Sequence, residues 1–234
     1  MAHPRLWGDT YWNTMHSLAA LIQVSEENTR VLRAAFIAFV SYMPALLPCP
    51  NCVKWAPIKI MKHFGKADIK NNFENVDLNA LMCDIHNEVS ESLKPPKPTM
   101  THEMAQARAV QLSREVSTKL MWDFVIIATR SLTHNDSQLS YTRCMNMLAV
   151  MLYYLDQPDI ASIIHGLQNA VTRQPARDQK SLLNIIYLFY NRYCSMFNQT
   201  CLSKEDFINH QMYGRTKSPL TLVPMDEGFE DEKD

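Results

Sequence analysis

Residues 31–47 form an almost unbroken apolar run at helical spacing, and it stops at Pro48 just before Cys49-Pro50-Asn51-Cys52. A helix that is apolar nearly all round has to be the buried centre of its surroundings, so the rest of the chain must wrap this stretch. Pro50 suits the first turn of a new helix, where a missing N–H is harmless. Cys49 and Cys52 then lie at a helix N-terminus, where unpaired N–H groups and the positive end of the dipole favour thiolate over thiol. The pair reads as a redox-active disulfide.

A bare C-x-x-C also binds zinc, and Cys83 with His86 completes a nominal Cys3His set with Cys49 and Cys52. Against zinc stands local geometry: no glycine lies near either pair, and Cys83-Asp84-Ile85-His86 sits inside a strong helix pattern. A thioredoxin-like motif would follow a strand in a βαβ context, whereas helix precedes this one. Redox chemistry and zinc both stay open on spacing alone.

Five glycines among 234 residues, set against Leu, Met, Ala and Ile at helical spacing, predict an all-α protein. A formal charge of −1 leaves no electrostatic footprint for nucleic acid. The longest apolar run, residues 34–47, is short of a membrane span, follows Arg33 and contains Pro44. Trp7-Gly8-Asp9 interrupts any apolar segment after Arg5, so no signal peptide is expected and the protein reads as soluble and intracellular, with no membrane partner. Six cysteines in such a chain point to catalysis or metal binding rather than to a disulfide framework.

The spacing predicts a first helix over residues 10–23, with Trp12, His16, Ala19 and Gln23 on one face and Leu18 and Leu21 on another. A second covers residues 29–47. The third starts at the cysteines and stops at Gly65, read as a C′ residue after His63. Asp77 caps the fourth, with Val76 and Leu81 as a hydrophobic staple and Pro95-Pro96 as its end. On that helix His86, Asn87 and Ser90 project polar groups from a buried-looking segment. Core hydrogen bonds or a polar cofactor satisfy them equally well.

Three ordered motifs make the chain resemble the Erv/ALR family of FAD-linked sulfhydryl oxidases over roughly residues 6–98. They are Trp7-Gly8-Asp9-Thr10-Tyr11-Trp12-Asn13-Thr14-Met15-His16, Pro48-Cys49-Pro50-Asn51-Cys52, and His86-Asn87-Glu88-Val89-Ser90-Glu91-Ser92-Leu93 with Lys94 and Lys97. The first motif looks closest to enzymes of large DNA viruses, and the long helical second half is similar to the baculovirus type. The resemblance implies a four-helix bundle binding FAD, contacted by Gly8, Trp12, His16, His86, Asn87 and Ser90, with Lys94 or Lys97 as the basic contact. It implies Cys52 as the flavin-proximal sulfur and Cys49 as the outer one, thiol-bearing protein substrates, O2 as acceptor, H2O2 as product, and a homodimer. Asp9 stands where the family often has arginine, and Cys83 lacks its usual disulfide partner. A virus assembling disulfide-bearing virion proteins in the host cytoplasm or nucleus would use such an activity. The alternative from another class is a noncatalytic zinc-stabilised helical adaptor built on Cys49, Cys52, Cys83 and His86.

Three regions are expected: an FAD domain at residues 1–98, a helical domain at 99–212 and an acidic disordered tail at 213–234. The second predicts helices near 101–119, 120–132, 140–156, 159–172 and 179–197. Trp122 with Ile126 sits like Trp12 with His16, Gln157 and Ile160 like Cys49 and Cys52, and Tyr190 like His86. These offsets, about 110, 108 and 104 residues, drift slowly, as in a decayed and flavinless duplication. Coincidence among helical patterns is the other explanation. Cys194 and Cys201, seven apart, read as either ordinary thiols or a shuttle disulfide.

Overall fold

A computed structural model describes residues 4–65, 73–92, 98–112, 117–132, 138–174 and 178–213. The acidic tail beyond residue 213, Lys94 and Lys97 therefore lie outside the described residues. Ten α-helices and no strand occur among them: α1 Pro4–Val24, α2 Thr29–Tyr42, α3 Pro50–Phe64, α4 Leu78–Glu91, α5 His102–Leu112, α6 Thr118–Ser131, α7 Gln138–Tyr154, α8 Pro158–Arg173, α9 Gln179–Met196 and α10 Lys204–Tyr213.

The local sequence accounts for most boundaries. Pro44 lacks an N–H and turns the end of the apolar run into a 3₁₀ segment, Met43–Leu46, so α2 stops at Tyr42 rather than at residue 47. Asp77 caps α4 as expected, its carboxylate accepting from the N–H groups of Asn79 and Ala80 at 2.9 and 3.0 Å. Ser117 and Asp178 cap α6 and α9 in the same way. Gly65 does follow α3, yet its backbone is right-handed with φ −75°, so no left-handed cap forms there. The reversals at Asn28, Asp156 and Asn198 do adopt positive φ, which short Asn and Asp side chains tolerate. α10 was not expected from the sequence, because it presents only a weak apolar face.

Among the described residues one hydrophobic core joins the two halves. In the first half α1 packs on α2 and α4, and α3 on α2 and α4; in the second α6 packs on α7 and α9, and α8 on α7 and α9. Both halves thus close the same ring of neighbours. Across the boundary α1 meets α6 and α2 meets α7, while α5 lies against α1 and α4. At the junction Phe124 of α6 meets Tyr11 of α1 edge-on at 5.0 Å and Phe39 of α2 at 5.4 Å. All three are buried, and the Tyr11 hydroxyl donates to the Leu46 carbonyl at 2.8 Å. Residues Thr29–Leu46 are long and apolar enough to cross a membrane by length and composition, contrary to the shorter run read from the sequence, but half of that window is buried inside the protein.

Arg33 of α2, 5% exposed, donates to the Val76 carbonyl and to Gln23 Oε1. Gln23 Oε1 also accepts from the Leu78 N–H at 3.1 Å. Those bonds tie the start of α4 to α1 and α2.

Truncating Phe124 to alanine removes the ring shared by both halves. Phe124→Ala should lower stability by about 3–5 kcal/mol, measured by urea unfolding followed by circular dichroism and tryptophan fluorescence. A loss within a few tenths of a kcal/mol would mean that the halves do not depend on this junction.

Candidate functional site

Cys49 is the N-cap of α3, with extended backbone, and Pro50 occupies the first helical position. The two cysteines form a disulfide with 5.2 Å between their Cα atoms. The Cys52 N–H donates to Cys49 Sγ at 3.2 Å, so the helix end itself holds the outer sulfur. Both cysteines are partly buried and pack against the core. On reduction, the same N-terminus stabilises thiolate.

α3 packs on α4, and α4 on α1. Where the last two meet, Trp12 and His86 stack with ring centroids 4.2 Å apart and planes 10° apart. His16 lies behind them, one of its ring nitrogens 3.2 Å from a ring nitrogen of His86. His16 is 4% exposed, and its pKa falls to about 3 through burial first, then through His86 and Arg108. It is neutral at physiological pH. Trp12 and His86 are only half-buried, so the stack keeps an accessible side.

Asn87, Ser90 and Gly8 are the further described residues expected to contact a cofactor. Asn87 spends its amide on Met100, donating to the carbonyl at 2.6 Å and accepting from the N–H at 2.7 Å. Cys83 is a buried free thiol that donates to the same carbonyl at 3.2 Å. Burial and then Asp84 raise its pKa. Together they fasten the approach to α5. Ser90 is buried on α4, and Gly8 is half-buried on α1 with no described atom within 4 Å of where a Cβ would stand.

The zinc set does not assemble. Cys49 and Cys52 are bonded to each other, Cys83 to Met100, and His86 is engaged with Trp12 and His16. No three metal-ligating side chains gather among the described residues.

Two features were missed in the sequence. Arg108 of α5 donates to Asn13 of α1, one residue from Trp12, with its pKa lowered by burial against the opposing pull of Asp9. Nothing in the weakly patterned α5 segment marks it. Glu88 of α4 meets Lys59, Lys62 and His63 of α3 at 3.4, 3.1 and 2.8 Å. Burial raises its pKa, but hydrogen bonds from Lys62, His63 and Lys59 prevail and hold it at about 2. This clamp, beside a cleft also lined by Asp84, Glu91 and Ser92, fixes the disulfide-bearing helix on α4. Lys59 and His63 at helical spacing were its only signal.

In the second half Trp122 stacks on Tyr193, with centroids 5.4 Å and planes 7° apart. The aromatic partner is therefore one turn beyond Tyr190, the residue aligned with His86 from sequence offsets. Both rings are 2% exposed, so this stack has no open side.

Residues 9–110 match the model of the Erv1 / Alr family. Over 95 residues the chain is 28% identical to a protein of Invertebrate iridescent virus 3 named as a FAD-linked sulfhydryl oxidase, covering 40% of this chain and 60% of that one. Over 96 residues it is 28% identical to a protein of the same descriptive name in Invertebrate iridescent virus 6, covering 40% and 84%. The chain thus spans about three-fifths of the first relative's length and most of the second's. No solved structure matches it.

The buried neutral His16 sets a pH dependence. Its folded pKa lies below the ordinary 6.5, so the unfolded chain takes up a proton that the folded one refuses, and stability falls as pH drops from 6.5 toward 3. His16→Asn should flatten the slope of unfolding free energy between pH 6 and 4 by up to one proton, about 1.4 kcal/mol per pH unit. Urea titrations at several pH values measure it; an unchanged slope would show that His16 titrates normally.

Proposed function

We propose that the chain, whose residues 9–110 match the Erv1 / Alr family model, is a FAD-dependent thiol oxidase forming disulfides in protein substrates. The observation carrying this reading is a disulfide at a helix N-terminus, on a helix packed against the one that presents the half-exposed Trp12–His86 stack.

The residues fit the cofactor. Ring centroids 4.2 Å apart leave no gap for a third ring, so a flat heteroaromatic group fits against the open side of the stack. Trp12, His16 and His86 would hold it, with Gly8 leaving room along α1 and Ser90 nearby on α4. Lys94 or Lys97 would serve its phosphates. Asn87, committed to Met100, acts instead by fixing α4 and α5. When bound, FAD supplies a two-electron acceptor that O2 reoxidises with release of H2O2.

The protein's part is thiol exchange. A substrate thiolate attacks Cys49 Sγ, the Cys49–Cys52 bond breaks, and Cys52 leaves as a thiolate that the α3 N-terminus stabilises. A second substrate thiolate then attacks the mixed disulfide, forming the product and freeing Cys49. Cys52, inside α3, is the sulfur that surrenders the electron pair as the Cys49–Cys52 bond reforms. Substrate gives up two electrons and two protons in each cycle.

The second half reads as a flavinless counterpart of the first. Its identical ring of neighbours, the pairing of α1 with α6 and α2 with α7, and its fully buried Trp122–Tyr193 stack support this. It would occupy the face that a second subunit takes in simple family dimers, leaving other faces for a homodimer. Action in host cytoplasm or nucleus, and association with virions, complete the proposal.

Purified full-length protein should be yellow, with one flavin per chain, and should consume O2 with dithiothreitol. Cys52→Ser and Cys49→Ser should both retain flavin and lose turnover. Only Cys49→Ser, which leaves a lone Cys52 thiolate, should gain a long-wavelength absorbance band. That band in Cys52→Ser instead would reverse the two roles, and a colourless protein carrying stoichiometric zinc would sink the oxidase reading.

A further inference from the structure

α9 ends at Met196, and the chain reverses at Asn198, whose φ of 49° is left-handed. The Gln199 N–H donates back to the Cys194 carbonyl at 2.9 Å, closing the reversal. Cys201 is thereby laid back over α9. Its thiol is 3.9 Å from the Asn191 carbonyl, one turn before Cys194, and the Cys194 thiol is close enough to raise its pKa. The next N–H, that of Leu202, donates to the Tyr190 hydroxyl at 3.2 Å and holds the register. Cys194 is 1% exposed, whereas Cys201 is half-buried and reachable from solvent. Beyond the pair, α10 docks by inserting buried Phe207 against Tyr187 and Tyr190, at 5.5 and 4.7 Å.

We propose that Cys194 and Cys201 are a second redox pair, converted by small-molecule disulfides from dithiol to disulfide, and that the disulfide staples α10 to α9. Cys201, as thiolate, attacks one sulfur of a disulfide such as oxidised glutathione and releases one glutathione. Cys194, on losing its proton, attacks the Cys201 sulfur and releases the second. The protein loses two electrons and two protons, and glutathione disulfide gains both. Burial, reinforced by Cys194, pushes the Cys201 thiol up to about 11, so the exchange is slow at neutral pH and quickens as pH rises. The pair stands apart from the Cys49–Cys52 centre: α9 packs on α6, α8 and α10, and not on α3. Hence it acts as a local staple and not as a relay, and it does not depend on the oxidase reading.

The test uses the full chain carrying Cys49→Ser and Cys52→Ser, treated anaerobically with oxidised glutathione between pH 7 and 9, then alkylated and digested. Trypsin leaves both cysteines in one peptide, residues 193–204, which should become two hydrogens lighter and refuse alkylation. Its formation should quicken about tenfold per pH unit. Cleavage by thermolysin within residues 197–213 should slow several-fold in the oxidised form, and not in a Cys194→Ser variant. If the double serine background folds poorly, the same peptide read from the wild-type chain decides the matter. A stable glutathione adduct on Cys201 with Cys194 still alkylated would overturn the pair, and a disulfide that leaves thermolysin cleavage unchanged would overturn the staple.

Discussion

Burial of α1 and α2 against the second half is the contact on which everything else in this protein rests. α6 packs on α1 and α7 on α2, so the apolar centre of the first half continues into the second. Phe124 is the point of closure, because one ring touches both Tyr11 and Phe39. The Tyr11 hydroxyl meanwhile satisfies the Leu46 carbonyl in the 3₁₀ segment leading to Cys49, so the core and the disulfide loop share a residue. A polar group this deep is stable only because it is bonded.

α4 then organises the site. Three successive residues face three neighbours: His86 meets α1, Asn87 reaches the chain before α5, and Glu88 clamps α3. Successive side chains on a helix diverge by about 100°, so a short polar stretch can join three elements at once. The arrangement leaves the disulfide on a helix held rigidly by charge-assisted bonds, while the Trp12–His86 stack keeps one side accessible. In the second half the Trp122–Tyr193 stack is sealed, although the helices follow the same order.

Much was legible in the sequence because helical periodicity, prolines and caps act locally. The apolar run, the Asp77 cap, the cysteine pair at a helix start and the aromatic and histidine face of α1 all follow from residues close in the chain. Tertiary structure alone decided which side chains were already committed. Asn87 pairs with Met100, thirteen residues on, which is folded back onto it; Cys83 and His86 looked like zinc ligands until packing sent them to different partners. Arg108 reaches Asn13 across ninety-five residues, and Cys201 meets Cys194 through a left-handed turn at Asn198. Such pairings depend on where whole helices lie, because desolvation and hydrogen bonding are decided by neighbours that periodicity does not record.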